Sequence, residues 1–240
     1  MFIDAGDRIK NKIAIGIILQ TIAQHNDAYI YSFSWYNHAT KGHYCGDEWS
    51  LYGSVFKREF IELYDIHFIT DPDHSYCGED LSFMQSSYLQ LQQIAKDEIM
   101  NHYYKFPVDI IEYLPDAESI MHTNPHKKII KGIAYNMDAV AQFGRKNNIY
   151  PLFIAKRVAK FMVQLYIDYL KCARKAPELL DYNWEILKYY YKNVYRTYEI
   201  VGDHYLQEIY SQWMPNIIKL TSEKVPRVNI NRFLGELKND

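Results

Sequence analysis

Two adjacent carboxylates, Glu79 and Asp80, follow Gly78 and open an apolar segment of the chain. The apolar side chains after them recur at helical spacing: Met84, Tyr88, Leu91 and Ala95. This pattern predicts that Asp80 lies at or near a helix N-terminus, where the dipole and the free N–H groups favour an ionised carboxylate. Such a carboxylate can take the proton from an attacking hydroxyl group. The alternative is that Asp80 is only a helix cap and that Glu79 is its solvated neighbour.

The composition limits the class of protein. The chain has 240 residues, 48% of them hydrophobic, which is enough for one large domain or one domain with a helical appendage. A net charge of −2 argues against a generally basic nucleic-acid binder. Three cysteines without C-x-x-C spacing predict free thiols in a reducing compartment. No signal peptide is recognisable, and the longest apolar run is too short to span a bilayer. We therefore expect a cytoplasmic protein, with peripheral membrane attachment left open.

Periodicity divides the chain into an α/β part over residues 1–125 and an all-helical part over residues 126–240. In the first part we expect a strand at the start, a helix over 9–25, a strand over 28–36, a polar loop over 37–48, a helix over 50–63, a short strand over 66–69, the helix of Asp80, and strands over 99–106 and 108–113. In the second part we expect helices over 127–147, 151–176, from Asp181 or Asn183 to 210, and over 231–237.

Three stretches, in this order and spacing, resemble family-2 glycosyltransferases of the GT-A fold. Residues 2–7 (FIDAGD) are similar to that family's hydrophobic strand and DxDD motif. Residues 49–68 (WSLYGSVFKREFIELYDIHF) resemble its helix leading to the acceptor-side strand, and residues 78–83 (GEDLSF) resemble its GED-x-x-F motif. A weaker fourth likeness covers residues 113–122. The resemblance implies a partial GT-A-like mixed sheet with helices over residues 1–125, and the helical half carries no recognised motif.

The resemblance also implies a divalent cation, Mn²⁺ or Mg²⁺, that neutralises the diphosphate of a nucleotide-sugar donor. Asp7 and Asp4 would supply the carboxylates, and His122 would add a contact from its loop. Gly6 stands where many family members have the metal-binding Asp. In the alternative, Asp7 caps the helix that starts near Ile9 and Asp4 holds the turn.

The resemblance also implies that Asp80 is the base for an inverting transfer to an acceptor hydroxyl and that Glu79 orients the acceptor or Asp80. Gly78 and Trp49 would lie on the substrate side, with the Trp49 indole stacked on an acceptor sugar. A tryptophan in the core or at its rim is the competing interpretation for Trp49.

The family's nucleotide-binding strands normally precede the DxD strand, and this sequence begins at that strand. We expect either a fragment or trimmed chain, a degenerate remnant of a glycosyltransferase, or a chain whose sheet is completed by a second chain or another copy of itself. The predicted substrates are a nucleotide-diphosphate sugar and a glycan or other hydroxyl acceptor.

Two other functions stay open at this point. The first is a non-catalytic interaction module with a partner surface on its tyrosine-rich helices: Tyr189, Tyr190, Tyr191, Tyr195 and Tyr198. The second is contact with DNA, which could itself be the acceptor, through the cations of the helical part: Lys156, Arg157, Lys160, Lys171, Arg174 and Lys175.

Overall fold

The computed structural model describes residues 7–45, 50–69, 79–96, 102–114, 125–221 and 230–239. Its strands are β1 (Arg8–Ile9), β2 (Ile30–Asn37), β3 (Gly42–Cys45), β4 (Ser54–Phe56) and β5 (Tyr103–Tyr113). Its α-helices are α1 (Lys12–Gln24), α2 (Arg58–Leu63), α3 (Glu79–Ala95), α4 (Pro125–Lys146), α5 (Pro151–Lys175), α6 (Leu180–Asn193), α7 (Glu199–Thr221) and α8 (Ile230–Asn239). A mixed sheet is thus followed by a helical region, as the sequence predicts.

Contacts divide the chain into two units. The first unit comprises residues 1–68 and 83–119, and the second comprises residues 69–82 and 120–240. The sequence places one boundary, at residue 125. The contacts place it near residue 120 and also assign the first residues of α3 to the second unit.

The sheet of the first unit is ordered β1-β5-β2-β3, and β4 also pairs with β2. Strand β5 runs parallel to β2, whereas β3 and β4 are antiparallel to β2 and β1 is antiparallel to β5. Alternate residues of β2 face α1, so that Tyr31 and Phe33 join a core with Ala14 and Ile18. The predicted strand over 28–36 is therefore confirmed.

Helix α1 begins three residues later than the sequence predicts. Its cap is Asn11, whose side chain accepts hydrogen bonds from the N–H groups of Ile13 and Ala14 at 2.9 and 3.0 Å. The suggestion that Asp7 caps this helix is wrong, because Asn11 occupies that position.

Several elements differ from the prediction for local reasons. The expected polar loop over 37–48 contains β3, because the Asn37 side chain accepts from the N–H groups of Ala39 and Thr40 and closes a hairpin turn. The expected helix over 50–63 is instead β4 followed by α2, since Gly53 turns the chain with a φ of +73°. Residues 66–69 form no strand.

The two strands expected on either side of Pro107 are one strand, β5. The pairing of β5 with β2 shifts register between Phe33 and Ser34 and again before Trp35. Pro107 falls in the first irregularity, where its missing N–H interrupts no regular ladder.

The second unit is helical, and α5 is its central element, packed against α4, α6 and α7. Pro151 lies in the first turn of α5, as the sequence predicts. The single long helix expected up to residue 210 is broken at Val194, and a 3-10 turn (Tyr195–Tyr198) separates α6 from α7. No helix in the described part of the chain combines the length and apolarity needed to cross a bilayer.

Replacing Gly53 by alanine tests the turn into β4. A Cβ there would lie 2.4 Å from the carbonyl oxygen of Phe33, on a backbone that disfavours L side chains. We expect Gly53→Ala to lower the free energy of unfolding by at least ~2 kcal/mol, measured by urea denaturation.

Gly16→Ala is the matched control, because nothing lies within 4 Å of a Cβ at this position in α1. It should raise the free energy of unfolding by about 0.5–1 kcal/mol through helix propensity. Equal effects of the two substitutions would contradict the described turn.

Candidate functional site

Three of the seven site residues singled out from the motifs lie in the described part of the chain. Asp7 and Asp80 are described with their side chains, and Glu79 is described as the first residue of α3. Asp4, Trp49, Gly78 and His122 lie outside the described residues.

Asp7 stands immediately before β1, at the edge of the sheet. Its Oδ1 accepts a hydrogen bond from the backbone N–H of Leu114 at 3.1 Å, and the residue is partly buried. Because Leu114 follows β5, this bond fixes Asp7 beside the C-terminal end of that strand. In sheets with parallel strands, that end is where ligands bind.

Asp80 lies in the first turn of α3 and is partly buried. The predicted helix start at Glu79 and Asp80 is therefore confirmed. The positive end of the helix dipole favours the ionised form of a carboxylate in this turn. Asp7 belongs to the first unit and Asp80 to the second, so their meeting in one cleft stays a prediction.

Four aromatic side chains come together at the same end of the sheet as Asp7. Trp35 stacks on Tyr44 with ring centroids 4.8 Å apart, and it contacts Tyr52 at 5.2 Å and Tyr113 at 5.8 Å. Tyr52 and Tyr113 also meet edge to face at 5.3 Å. We call these four residues the aromatic cluster; all four are at least partly exposed.

The aromatic cluster is not apparent from the sequence because its members come from three strands and a loop. The alternation of residues 28–36 places Trp35 on the core face. Only the pairing of Trp35 with Tyr44, and of Asn37 with Tyr113, brings the other rings to it.

Ion pairs join the same strands on the face of the sheet opposite the cluster, because Glu112 pairs with Tyr36 whereas Ile111 pairs with Trp35. Arg8 Nε lies 2.5 Å from Glu112 Oε2, and Lys10 Nζ lies 3.0 Å from Asp109 Oδ2. His43 Nδ1 lies 2.6 Å from the same oxygen of Asp109. The two cations of this edge are thus each opposed by a carboxylate of β5.

The Arg8 hydrogen bond holds the pKa of the Glu112 carboxyl below its usual value. A depressed pKa in the folded state means that Glu112 contributes stability above its unfolded-state pKa, which is about 4.3. That contribution is lost as the pH falls through the folded value.

Three of the six basic residues singled out in α5 make contacts within the helical unit. Arg157 is 4% exposed, Lys171 Nζ lies 2.6 Å from Asp168 Oδ1, and Lys156 Nζ lies 4.6 Å from the centre of the Tyr205 ring. These three cations are engaged within the helical unit, whereas Arg174 and Lys175 are exposed, and contact with DNA through this helix stays a prediction.

The tyrosine-rich helices likewise offer less surface than their sequence suggests. Tyr191, Tyr195 and Tyr198 are buried, whereas Tyr189 is exposed. Burial is the main cause that raises the pKa of Tyr191, and its hydrogen bond to Glu199 adds to the effect. Burial and a hydrogen bond to Asp203 raise the pKa of Tyr195 in the same way. The Tyr191 hydroxyl holds α7 against α6, and the Tyr195 hydroxyl holds α7 against the 3-10 turn.

A carboxylate such as Asp7 has the oxygen donors that Mg²⁺ and Mn²⁺ prefer. Among the side chains the structure describes, no three of the His, Cys, Asp and Glu type come together as a metal site. Within this part of the chain, the expected ligand set is therefore represented by Asp7 alone.

Comparison with protein-family models, with curated proteins and with solved structures gives no match to this chain. The resemblance to family-2 glycosyltransferases therefore rests on the motifs at residues 2–7, 49–68 and 78–83.

Glu112→Gln tests the ion pair with Arg8. We expect the free energy of unfolding of this variant to fall below that of the wild type at neutral pH, and the gap to close as the pH drops below about 4. Chemical denaturation across this pH range measures the gap.

Glu62→Gln is the control, since Glu62 and its partner Arg58 are 70% and 87% exposed and contribute little. A gap for Glu112→Gln that stays constant with pH would contradict the assigned pKa shift.

Proposed function

We propose that this chain is an inverting glycosyltransferase, or the acceptor-side part of one. It transfers a sugar from a nucleotide-diphosphate donor to a hydroxyl group of an acceptor. The observation that carries this proposal is the position of Asp80 in the first turn of α3, a helix of 17 residues that begins at the acidic pair of the third motif.

Asp80 acts as the base in this proposal. A carboxylate oxygen of Asp80 takes the proton of the acceptor hydroxyl as that oxygen bonds to the anomeric carbon. The bond from the anomeric carbon to the diphosphate breaks on the opposite side, and the nucleoside diphosphate leaves with the electron pair. Glu79, the preceding residue, orients Asp80 or the acceptor.

Asp7 acts on the donor side. Its anchored carboxylate, with Asp4 and His122, would hold Mn²⁺ or Mg²⁺, which when bound offsets the charge of the diphosphate. The hydrogen bond from Leu114 supports this role because it fixes the direction of the Asp7 carboxylate at the sheet edge. A second chain, or another copy of this one, would complete the donor side.

A non-catalytic interaction module is the second candidate, and one observation favours it. The outer face of α1 leaves Ile15 and Leu19, which are one turn apart, 40% and 62% exposed. Apolar side chains on one helix face are a common feature of protein interfaces.

Asp80→Asn tests the base. We expect at least an approximately 100-fold loss of transfer, assayed with a panel of nucleotide sugars and Mn²⁺, because the amide cannot take the proton. Asp181→Asn is the matched control, since Asp181 also lies in the first turn of a helix and is exposed. Transfer by Asp80→Asn at the wild-type rate would refute the assignment.

Asp7→Asn and Asp7→Ala separate anchoring from catalysis. The asparagine keeps an oxygen for the Leu114 N–H, so its unfolding free energy should match the wild type, whereas alanine should lose about 0.5–1.5 kcal/mol. Both variants should need more Mn²⁺ for half-maximal transfer. An unchanged Mn²⁺ requirement in both variants would remove Asp7 from the donor site.

A further inference from the structure

Tyr44 is held in a fixed orientation although its ring is exposed. One face of the ring stacks on Trp35, with an interplanar angle of 21°. Its hydroxyl donates to Thr40 Oγ1 at 2.9 Å. The ring edge passes over Gly42, where a Cβ would lie only 3.0 Å from Tyr44 Cε2. The residue nevertheless remains 41% exposed.

A side chain of this kind has given up rotamer freedom while leaving much of its apolar surface in water. The three restraints on Tyr44 come from different residues, so the ring is ordered before any ligand arrives. Ordering in advance lowers the entropy lost on binding, which is how rigid aromatic residues serve recognition.

The position of Tyr44 also suits a ligand. The aromatic cluster lies at the C-terminal ends of the parallel strands β2 and β5, beside the anchored Asp7. Tyr52 and Tyr113 extend the exposed aromatic surface around Trp35.

The charged side chains of these strands lie on the face of the sheet opposite the cluster, which favours a neutral ligand. Arg8 and Lys10 pair with Glu112 and Asp109, and these carboxylates belong to residues that stand opposite Tyr36 and Ser34, whereas Ile111 stands opposite Trp35. Neither cation is therefore placed to neutralise a phosphate at the cluster. An uncharged ring with an apolar face and polar edges matches this surface better than an anion does.

We propose that the aromatic cluster binds a pyranose ring of a neutral glycan, with the sugar stacked on the outer face of Tyr44. The C–H bonds on one face of a pyranose carry partial positive charge and meet the negative face of the aromatic ring. This inference rests on the proposed function, in which the glycan is the acceptor. It makes Tyr44 a stacking residue, whereas Trp49 lies outside the described residues.

Saturation-transfer NMR on the whole chain tests the proposal with methyl β-D-glucoside and methyl β-D-galactoside, and uridine serves as the competing aromatic ligand. We expect transfer to the ring protons of at least one glycoside, retained in Tyr44→Phe and weakened about tenfold in affinity in Tyr44→Ala, the equivalent of one aromatic contact. Tyr189→Ala, which removes an exposed tyrosine of α6, is the control and should bind as the wild type does.

Gly42→Ala provides a second variant that keeps every atom of Tyr44. The added methyl displaces the ring from Trp35, so glycoside binding should weaken while the circular dichroism spectrum stays unchanged. Gly42 does not have the positive φ that would strain an alanine.

Absence of glycoside binding, binding unaffected by both Tyr44→Ala and Gly42→Ala, or preferential binding of uridine would overturn the inference. Glycoside binding that depends on Tyr44, in a chain with no transfer activity, would refute the proposed glycosyltransferase activity and leave the sugar binding at the aromatic cluster intact. Transfer activity with an acceptor KM that is unchanged in Tyr44→Ala would refute sugar binding at Tyr44 and leave the proposed glycosyltransferase intact.

Discussion

Strand β2 is hydrogen-bonded along both edges, and the first unit depends on this constraint. Strand β5 pairs with one edge in parallel, and β4 and β3 pair in turn with the other. Because side chains alternate, Phe33 and Trp35 must share the face that packs on α1. A slip of one residue would move both to the opposite face and disrupt the core and the aromatic cluster together.

The features that the sequence predicted well are those governed by local pattern. The helix beginning at Glu79 follows from an acidic start and an apolar stripe, and α5 follows from Pro151 in its first turn. Strand β2 follows from alternation among aromatic residues. Each of these signals is contained within one segment and needs no partner to be recognised.

The features that the sequence missed depend on pairing or on a single turn residue. In the sequence, residues 42–45 have the composition of a polar loop. In the structure, the turn supported by Asn37 pairs them with β2 as strand β3. Pro107 indicates a strand end, but an irregular register lets β5 continue past it. No glycine or proline marks the helix break at Val194 in the sequence. The break places the Tyr195 hydroxyl within hydrogen-bond distance of Asp203 in α7.

The candidate site shows the same division. Asp7 and Asp80 could be chosen from motifs, because acidic residues next to strand and helix starts stand out in a sequence. Tyr44 could not be chosen, because its importance comes from Trp35 opposite it and from Gly42 beneath its ring. The chemistry of this surface is therefore encoded across strands rather than along them.

The turn between β2 and β3 has a consequence for how this surface can diversify. Residues 38–41 bridge the two strands, with Asn37 as their internal support, and Ala39, Thr40 and Lys41 are exposed or partly exposed. The Tyr44 hydroxyl reaches Thr40 of this turn, so a new side chain at the neighbouring Ala39 would change the surface beside the ring without altering any strand pairing. Lys41 has a φ of +53° and therefore tolerates fewer replacements. Under the proposed sugar binding, related chains would change which saccharide fits by substitution in this turn, while the sheet underneath stays the same.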